Sequence, residues 1–262
     1  MKIDSDKVAE FWDRQAAEHP ERAGMLGVMG PAGARYRTEA EWAHFLRIVT
    51  PRPEWSVLDL GCGAGRWDFQ LAPRVRFIRG VDVSARMIAL AEAERARRGF
   101  INLVFEQASL LDYPPAEQYD LIYFSSVLNH LADEDVGRAV ARLAAALHPG
   151  GRLLSRDTVR PAGREVREGD YPIIYRPLDQ YTAPFQAAGF KLAYRAESFR
   201  WPRGEGLLQR VCPAPWQERR PGLSLAALKG LDGLARLAAG MKLVRSGPDP
   251  EYRHLFMLFE RE

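Results

Sequence analysis

Short apolar runs alternate with amphipathic stretches along most of this chain, and this alternation predicts its secondary structure. The runs that we interpret as buried strands are 57–60, 78–82, 103–105, 119–124 and 152–155. Residues 85–98 and 133–147 instead carry apolar side chains at helical spacing. Strands that alternate with helices of this length predict an α/β protein with a doubly wound, mostly parallel sheet.

The two ends of the chain depart from this alternation. Before the first strand, the pattern predicts helices over 5–18 and 38–49, with a loop over 24–33 between them. After the fifth strand it predicts a loop over 160–175, a helix over 178–188 and strands over 190–196 and 254–259. We therefore divide the chain into an N-terminal helical cap (1–52), a core (53–199 and 252–262) and a helical insertion (200–251).

The strongest local signal is a buried strand that leads into three closely spaced glycines. Gly61, Gly63 and Gly65 occupy every second position, so the turn permits positive φ and lets a ligand approach bare backbone. A helix expected to begin at about Gly65 would direct its free N–H groups toward the same place. This turn, which also contains Cys62, therefore predicts a binding site for a polar ligand.

The spacing of the glycines distinguishes this turn from a dinucleotide-binding loop. That loop has its third glycine three positions after the second, where this chain has Arg66. Asp59 precedes the first glycine by two residues, and it would repel a pyrophosphate but suits a ligand with an ammonium group. Asp82 ends the second strand, where it is placed to accept hydrogen bonds from ribose hydroxyls. The residues thus indicate a ligand that carries an amine and a ribose.

Four stretches, in the same order, resemble the motifs of one enzyme family. Residues 57–67 resemble the first motif of the class I S-adenosylmethionine-dependent methyltransferases, and residues 80–84 resemble the motif that follows it. The likeness continues through 119–130 and 148–157. It implies a seven-stranded Rossmann-like sheet, here with N-terminal helices and a helical insertion before the last strand. It also implies S-adenosylmethionine as the cofactor and methyl donor.

The resemblance further implies which residues surround the cofactor. In the family, the turn after the third strand faces the adenine, and here Glu106 and Gln107 replace the commoner Gly-Asp pair, so either side chain is a candidate for the exocyclic amine. Four aromatic residues of the N-terminal helices either cover the cofactor or pack those helices on the core: Phe11, Trp12, Tyr36 and Trp42. The predicted cofactor-binding residues are Asp59, Gly61, Cys62, Gly63, Gly65, Asp82, Val83, Met87, Ala108, Ser109, Leu110 and Ser125.

Methyl transfer from a sulfonium requires alignment above all, because the donor is already activated. A base is needed when the acceptor is a hydroxyl whose proton is hard to lose. Asn129 and His130 follow the fourth strand, where the corresponding helix start in related enzymes borders the methyl group, so we predict His130 as a base; the alternative is that it only caps or packs a helix. Asp157, at the tip of the fifth strand, is the second catalytic candidate, or it orients a neighbour. The residues proposed to line the acceptor pocket are Tyr171, Tyr175 and Tyr181.

Composition narrows the class of partner. With 47% hydrophobic and 27% charged residues, the 262-residue chain has the balance of a globular protein. The net charge of +3 is slight, and no basic domain or Lys-aromatic stripe indicates nucleic acid. Two cysteines, Cys62 and Cys212, indicate neither a disulfide framework nor a metal site, and no apolar signal segment is present, so we expect a cytoplasmic protein.

We therefore predict a methyltransferase that acts on an oxygen or nitrogen of a small or medium-sized metabolite. The alternatives are an RNA or protein acceptor, a lipid-linked or sugar acceptor at a membrane surface, and a non-catalytic S-adenosylmethionine-binding protein. The insertion bears on the membrane alternative, because its apolar helix over 223–243 carries a stripe of leucines. The stripe either packs on the domain, forms a homodimer or meets a membrane, and its members are Leu225, Leu228, Leu231, Leu234 and Leu237.

Overall fold

A computed structural model describes residues 3–20, 30–113, 117–199, 205–240 and 251–262 of the chain. Its strands are β1 (Ser56–Leu60), β2 (Phe77–Asp82), β3 (Leu103–Gln107), β4 (Tyr119–Ser125), β5 (Leu147–Val159), β6 (Glu165–Arg167), β7 (Ile173–Tyr175), β8 (Phe190–Glu197) and β9 (Arg253–Arg261). Within these residues a seven-stranded sheet has the order β3-β2-β1-β4-β5-β9-β8. Strand β9 is antiparallel to both neighbours, while the pairs from β3 to β5 are parallel. The predicted doubly wound sheet is confirmed.

Helices connect and flank these strands. The helices are α1 (Ser5–Glu18), α2 (Pro31–Ile48), α3 (Asp68–Leu71), α4 (Ala85–Arg98), α5 (Asp133–Ala145), α6 (Leu178–Ala187), α7 (Glu205–Val211), α8 (Ala214–Arg219) and α9 (Pro221–Gly240). Every residue of β1 is buried, as expected for a central strand of a parallel sheet. The main core combines Leu58 of β1 and Ile122 of β4 with Val140 of α5 and Phe185 of α6.

The ends of two helices follow directly from their capping residues. Asp4 caps α1, because its side chain accepts a hydrogen bond from Asp6 N–H at 3.0 Å. Ser84 caps α4 by accepting from Met87 N–H at 3.1 Å, and Gly99 ends that helix with φ 73°. These starts and stops agree with the sequence prediction.

The helices that precede and follow the glycine turn in the sequence differ from the prediction. Helix α2 begins at Pro31, seven residues before the predicted start, because proline fits the first turn, where its missing N–H costs no hydrogen bond. The helix expected at about Gly65 is only the four-residue α3, and a 3-10 turn at Ala72–Arg74 follows it. A helical bond from Phe69 N–H to Gly65 C=O, 3.1 Å long, nevertheless begins this turn at the predicted residue.

The C-terminal half also contains structure that the sequence pattern did not predict. Strand β5 begins at Leu147 and so includes the predicted turn over 148–151. The predicted loop over 160–175 contains β6 and β7, which pair as a small antiparallel sheet. In the insertion, α7 and α8 precede the predicted apolar helix, and they were not predicted because each is shorter than two helical repeats of its apolar pattern.

The chain divides into two compact units, each with its own contacts. The first takes in described residues of 1–24, 46–197 and 251–262, and the second those of 25–45 and 198–250. In the second unit, Ala32 of α2 packs with Leu208 of α7 and Leu228 of α9. The second predicted N-terminal helix thus packs with the insertion, while the division into cap, core and insertion stays a prediction.

Polar contacts and exposed leucines complete this second unit. Ala32 N–H donates to Gln217 at 3.1 Å, and the Tyr36 hydroxyl donates to Asp232 at 3.1 Å. On α9, Leu228 is fully buried, whereas Leu234 and Leu237 are exposed, so the predicted leucine stripe is buried only in part. Among the helices of the described residues, none combines the length and the hydropathy needed to cross a bilayer.

Candidate active site

Strand register brings the predicted cofactor residues to one edge of the sheet. Leu60, the last residue of β1, lies opposite Val81 of β2 and Phe124 of β4. Asp82, the last residue of β2, lies opposite Gln107 of β3. The glycine turn, Asp82 and the segments after β3 and β4 therefore follow neighbouring strands at their carboxyl ends, where open α/β sheets bind ligands.

The glycine turn adopts the backbone conformation that its sequence predicts. Gly61, Gly63 and Gly65 have φ values of 70°, 56° and 77°. A Cβ on Gly61 would lie 2.3 Å from the Val127 side chain, and one on Gly65 would lie 2.7 Å from Phe105. Packing within the chain thus requires glycine at positions 61 and 65. The sequence analysis had instead predicted that these glycines let a ligand approach the backbone.

Asp82 fixes the glycine turn to the end of β2. Its two carboxylate oxygens accept from Gly63 N–H and Ser84 N–H, each at 2.9 Å. Burial raises the pKa of Asp82, and the negative charge of Asp13 adds to that effect. A carboxylate has about four lone-pair sites, so Asp82 retains capacity for the predicted ribose hydroxyls.

Asp13 of α1 is a site residue that the sequence analysis missed. Its Oδ1 accepts from the Ser84 hydroxyl at 2.5 Å and from Arg86 N–H at 3.1 Å. These bonds join α1 to the first turn of α4, beside Asp82. The sequence around Asp13 does not indicate this contact, because the contact depends on how α1 packs against a segment 71 positions away.

Two buried carboxyl groups lie beneath the glycine turn. Asp59 is 1% exposed and Asp68, at the start of α3, is 0% exposed. Outside the pair itself, no hydrogen-bond donor of the described residues reaches any of their four oxygens. Burial and the proximity of the other carboxyl raise the pKa of Asp59 well above its usual range, and burial raises that of Asp68 to about 7. The sequence analysis predicted Asp59 here but not Asp68.

Cys62 lies within this acidic environment. Its thiol is buried and close to Gly63 C=O, at 3.5 Å. Burial raises the pKa of the Cys62 thiol, and the charges of Asp68, Asp82 and Asp59 raise it further. The thiol therefore stays protonated, which suits packing beside a ligand and not nucleophilic chemistry.

The predicted adenine turn follows β3 closely. Ala108 N–H donates to Asp82 C=O at 3.0 Å, and the Ser109 hydroxyl accepts from Leu111 N–H at 3.2 Å. Glu106 pairs with Arg79 at 3.2 Å, and the Gln107 amide donates to Val83 C=O at 3.4 Å. Leu110 packs against the main core and Met87 is fully buried. The choice between Glu106 and Gln107 as the partner of the adenine amine stays a prediction.

His130 lies in a 3-10 turn, Leu128–His130, that follows β4. Its Nδ1 is 2.8 Å from Pro172 C=O, and its Nε2 is 3.1 Å from the Tyr171 hydroxyl. Because a carbonyl only accepts, Nδ1 carries the proton and Nε2 presents its lone pair. Burial lowers the pKa of His130 to about 4, so the ring is neutral at neutral pH.

Asn129 and Arg176 hold the same turn in place. The Asn129 amide donates to Thr158 C=O at 2.8 Å, and its buried Oδ1 accepts no bond from the described residues. Arg176, itself buried, donates to Leu128 C=O at 3.0 Å and Leu131 C=O at 2.6 Å. The sequence analysis missed Arg176, because these bonds join residues 48 and 45 positions apart and leave no local sequence pattern.

Asp157 lies inside β5, which extends past it to Val159, and not at the strand tip as predicted. Its carboxylate accepts from Thr158 N–H at 2.9 Å and from the Tyr181 hydroxyl at 3.1 Å. Burial raises the pKa of Asp157 to about 6. These bonds connect Asp157 to α6, and within the described residues they do not join it to His130.

The segment after β4 has an unusual backbone. Ser125 ends the strand, and Ser126 follows it with φ 59°, a left-handed conformation that few non-glycine residues adopt. Ser126 N–H donates to Arg156 C=O at 2.9 Å, and the Arg156 guanidinium donates to the Ser126 hydroxyl at 3.2 Å. Such strain clusters at ligand sites, and here it directs the chain from β4 into the turn of His130.

Aromatic side chains of α1 pack on Tyr171, which itself contacts His130. The ring centroids of Phe11 and Tyr171 are 4.3 Å apart, and those of Trp12 and Tyr171 are 6.0 Å apart. Tyr36 and Trp42, the other predicted covering residues, belong to the second unit. That any of the four covers the cofactor stays a prediction.

Part of this chain is similar to known methyltransferases. Residues 57–151, from β1 to the first residues of β5, match the family model described as "Methyltransferase domain". The alpha N-terminal protein methyltransferase 1 of Drosophila melanogaster is 27% identical over 205 residues, which are 76% of this chain and 72% of that protein. These matches support a class I S-adenosylmethionine-dependent methyltransferase.

Solved structures share the fold of this methyltransferase. The [4+2]-cyclase SpnF has a TM-score of 0.68 and 16% identity, over 100% of this chain and 97% of its own. A DhpI–SAH complex has a TM-score of 0.57 and 23% identity, over 75% and 92% of the two chains. Two further relatives, the uncharacterized methyltransferase YcgJ of Bacillus subtilis and the trans-aconitate 2-methyltransferase of Deinococcus radiodurans, match over only 52% and 39% of their own lengths. Their names therefore do not identify the methyl acceptor of this chain.

The residues at the sheet edge fit S-adenosylmethionine, the cofactor of this methyltransferase. Asp59 and Asp68 offer buried carboxyl groups to its ammonium group, and Asp82 retains acceptor capacity for its ribose. The fit agrees with the chemistry that the sequence predicted, while the roles of the individual residues remain predictions.

Proposed function

We propose that this methyltransferase transfers a methyl group to an oxygen or nitrogen atom of a small or medium-sized metabolite. The observation that carries the proposal is the neutral His130 ring, whose Nε2 lone pair faces the half-buried Tyr171 hydroxyl at 3.1 Å. The Oδ1 of Asn129, which accepts no hydrogen bond from the described part of the chain, is a second buried acceptor on the same turn. Two acceptors of this kind suit a nucleophile that carries O–H or N–H groups.

When bound, S-adenosylmethionine supplies a methyl group that its sulfonium has already activated. The chain then has to hold the nucleophile in line and exclude water. With a pKa of about 4, His130 is too weak to remove an alcohol proton before attack, but it accepts a hydrogen bond and so orients the nucleophile's lone pair. The nucleophile's proton becomes acidic as the new bond forms, and Nε2 is then able to take it.

Turnover with matched acceptors tests this proposal. The purified chain is incubated with S-adenosylmethionine and pairs of acceptors, an amine and the corresponding alcohol, and S-adenosylhomocysteine is quantified. The panel includes a peptide with a free N-terminus, because the Drosophila relative is named for protein N-termini. For alcohols, we expect His130→Ala to lower kcat by about 100-fold or more. The affinity for S-adenosylhomocysteine should not change.

Two results would contradict the proposal. Near-full turnover of an alcohol by folded His130→Ala would limit this histidine to packing. Tight binding of S-adenosylhomocysteine, with no product from any acceptor of either kind, would instead favour a binding protein without methyl transfer. Tyr171→Phe is the matched variant, since it keeps the ring but removes the hydroxyl that faces Nε2.

A lipid-linked acceptor at an anionic membrane is the second candidate, favoured by the exposed apolar residues of the second unit. Val211, Leu234 and Leu237 are 64%, 67% and 61% exposed, and the helices of this unit also carry exposed Arg219 and Lys229. Flotation with anionic vesicles at low salt should then recover the chain, and Leu234→Glu should abolish recovery without unfolding it. A chain that stays unbound would exclude this candidate.

A further inference from the structure

We propose that Asp59 and Asp68 form a proton-sharing carboxyl pair that binds the ammonium group of the cofactor, and that this binding displaces the shared proton. The proposal rests on S-adenosylmethionine as the cofactor and adds Asp68 to its site. It also predicts that the affinity for the amino-acid portion of the cofactor depends on pH.

The first support is the lack of hydrogen-bond donors around the pair. Both side chains are buried, and no N–H or O–H group of any other described residue donates a hydrogen bond to their four oxygens. Buried polar groups in folded proteins nearly always have partners, and a buried carboxylate without them is costly. Two adjacent carboxyls cannot both ionise cheaply, but one that keeps its proton can donate it to the other.

The second support is the charge that surrounds the pair. Asp59 also experiences the negative charge of Asp82, while the positive charge of Arg66 lowers its pKa. Burial raises the pKa of the Cys62 thiol, and the three carboxyls raise it further. Negative charge thus predominates beneath the glycine turn, and this favours a cationic ligand.

An ammonium group fits this environment better than a metal ion does. It carries three N–H donors, which can take the place of the single shared O–H donor. Among the described residues, no three His, Cys, Asp or Glu side chains are grouped to hold a metal. Asp59 lies two residues before the first glycine of the turn, and Asp68 lies three residues after the last. Within this turn, the predicted ribose ligand Asp82 fixes Gly63 N–H.

The sign of the pH effect follows from the shared proton. The protonated pair competes with the ammonium, and the pKa of Asp68 is about 7. Affinity should therefore rise with pH below neutrality, by at most about tenfold per pH unit for one displaced proton. Burial also raises the pKa of the nearby Asp82, which is the predicted ribose ligand. The test therefore needs a second ligand that retains the ribose but lacks the amine, so that any effect of Asp82 is measured separately.

The experiment measures two ligands by calorimetry between pH 5.5 and 7.5. S-adenosylhomocysteine has the amino-acid portion, and methylthioadenosine has the same nucleoside without it. For the wild type we expect the first affinity to rise several-fold more than the second across this range, because any contribution of Asp82 is common to both ligands. In Asp68→Asn, which keeps a donor for Asp59 but cannot titrate at this position, that difference should disappear. The exposed Asp112→Asn is the control and should behave as the wild type.

A second readout does not depend on any variant. Calorimetry of the wild type at pH 6.5, in two buffers of different ionisation enthalpy, should show more net proton release with S-adenosylhomocysteine than with methylthioadenosine. Equal behaviour of the two ligands in the wild type, or an unchanged difference between them in Asp68→Asn, would overturn the inference alone. Failure of the wild type to bind either ligand would overturn the cofactor assignment together with it.

Discussion

Asp82 shows how one side chain serves both the turn and the predicted ligand. Its carboxylate holds Gly63 N–H and Ser84 N–H, so Asp82→Ala should leave both donors without their partner and lower the free energy of unfolding by about 1–3 kcal/mol. The affinity for S-adenosylhomocysteine should fall by about 1.5–3 kcal/mol, the range for charged hydrogen bonds. Denaturant titration and calorimetry measure the two effects, and an unchanged affinity in a folded variant would remove Asp82 from the site.

Asp157 makes a residue-scale prediction about pH. Its pKa is about 6 in the folded chain, above the usual value of 3.8, so the folded state holds this proton more tightly. The resulting stability is fully present below pH 3.8 and is lost as pH rises through 6, an effect of about 3 kcal/mol. Asp157→Asn removes this titration. The difference in unfolding free energy between pH 4 and pH 7 should therefore differ from that of the wild type by about 3 kcal/mol. Identical pH profiles for the two proteins would contradict this account.

At the scale of elements, the turn of His130 depends on Arg176. This guanidinium bonds to Leu128 C=O and Leu131 C=O and pairs with Asp133 at 2.7 Å. Arg176→Lys keeps the charge but loses the planar array of donors, so the turn should loosen. Nitrogen NMR should then show His130 as a mixture of tautomers, where the wild type has only the Nδ1–H form. A single unchanged tautomer would show that Pro172 and Tyr171 suffice to hold the ring.

Helix α9 offers a matched pair of substitutions. Leu228 is fully buried against Ala32 and Leu208, so Leu228→Ala should lower the free energy of unfolding by about 2–5 kcal/mol. Leu234 is 67% exposed, and Leu234→Ala should change it by less than about 0.5 kcal/mol. Similar losses for both variants would mean that Leu234 is buried in solution, as in a homodimer.

The elements that sequence predicted well are those whose signals are local. Ser84 and Gly99 mark α4 by their own capping chemistry, and apolar runs mark the parallel strands. The start of α2 was missed because Gly33 and the preceding loop composition outweighed the helical signal of Pro31. Strands β6 and β7, three residues each, are too short to show a period.

At the scale of the whole molecule, the sequence predicted the fold and the edge that holds the site. It did so because the glycine turn and Asp82 follow neighbouring strands, whose order the family resemblance supplied. The sequence did not predict contacts between distant segments. Tyr171 contacts His130 across 41 positions, and Asp13 contacts Ser84 across 71. The Asp59–Asp68 pair was hidden for a related reason, since its proximity depends on the shape of the turn between the two residues.

The central claim is that the glycine turn and its carboxylates bind S-adenosylmethionine. Titration calorimetry of the purified chain, with S-adenosylhomocysteine and NAD as separate ligands, tests it most directly. The account predicts binding of S-adenosylhomocysteine at one site per chain and no detectable binding of NAD. Binding of NAD, with S-adenosylhomocysteine ignored, would contradict it.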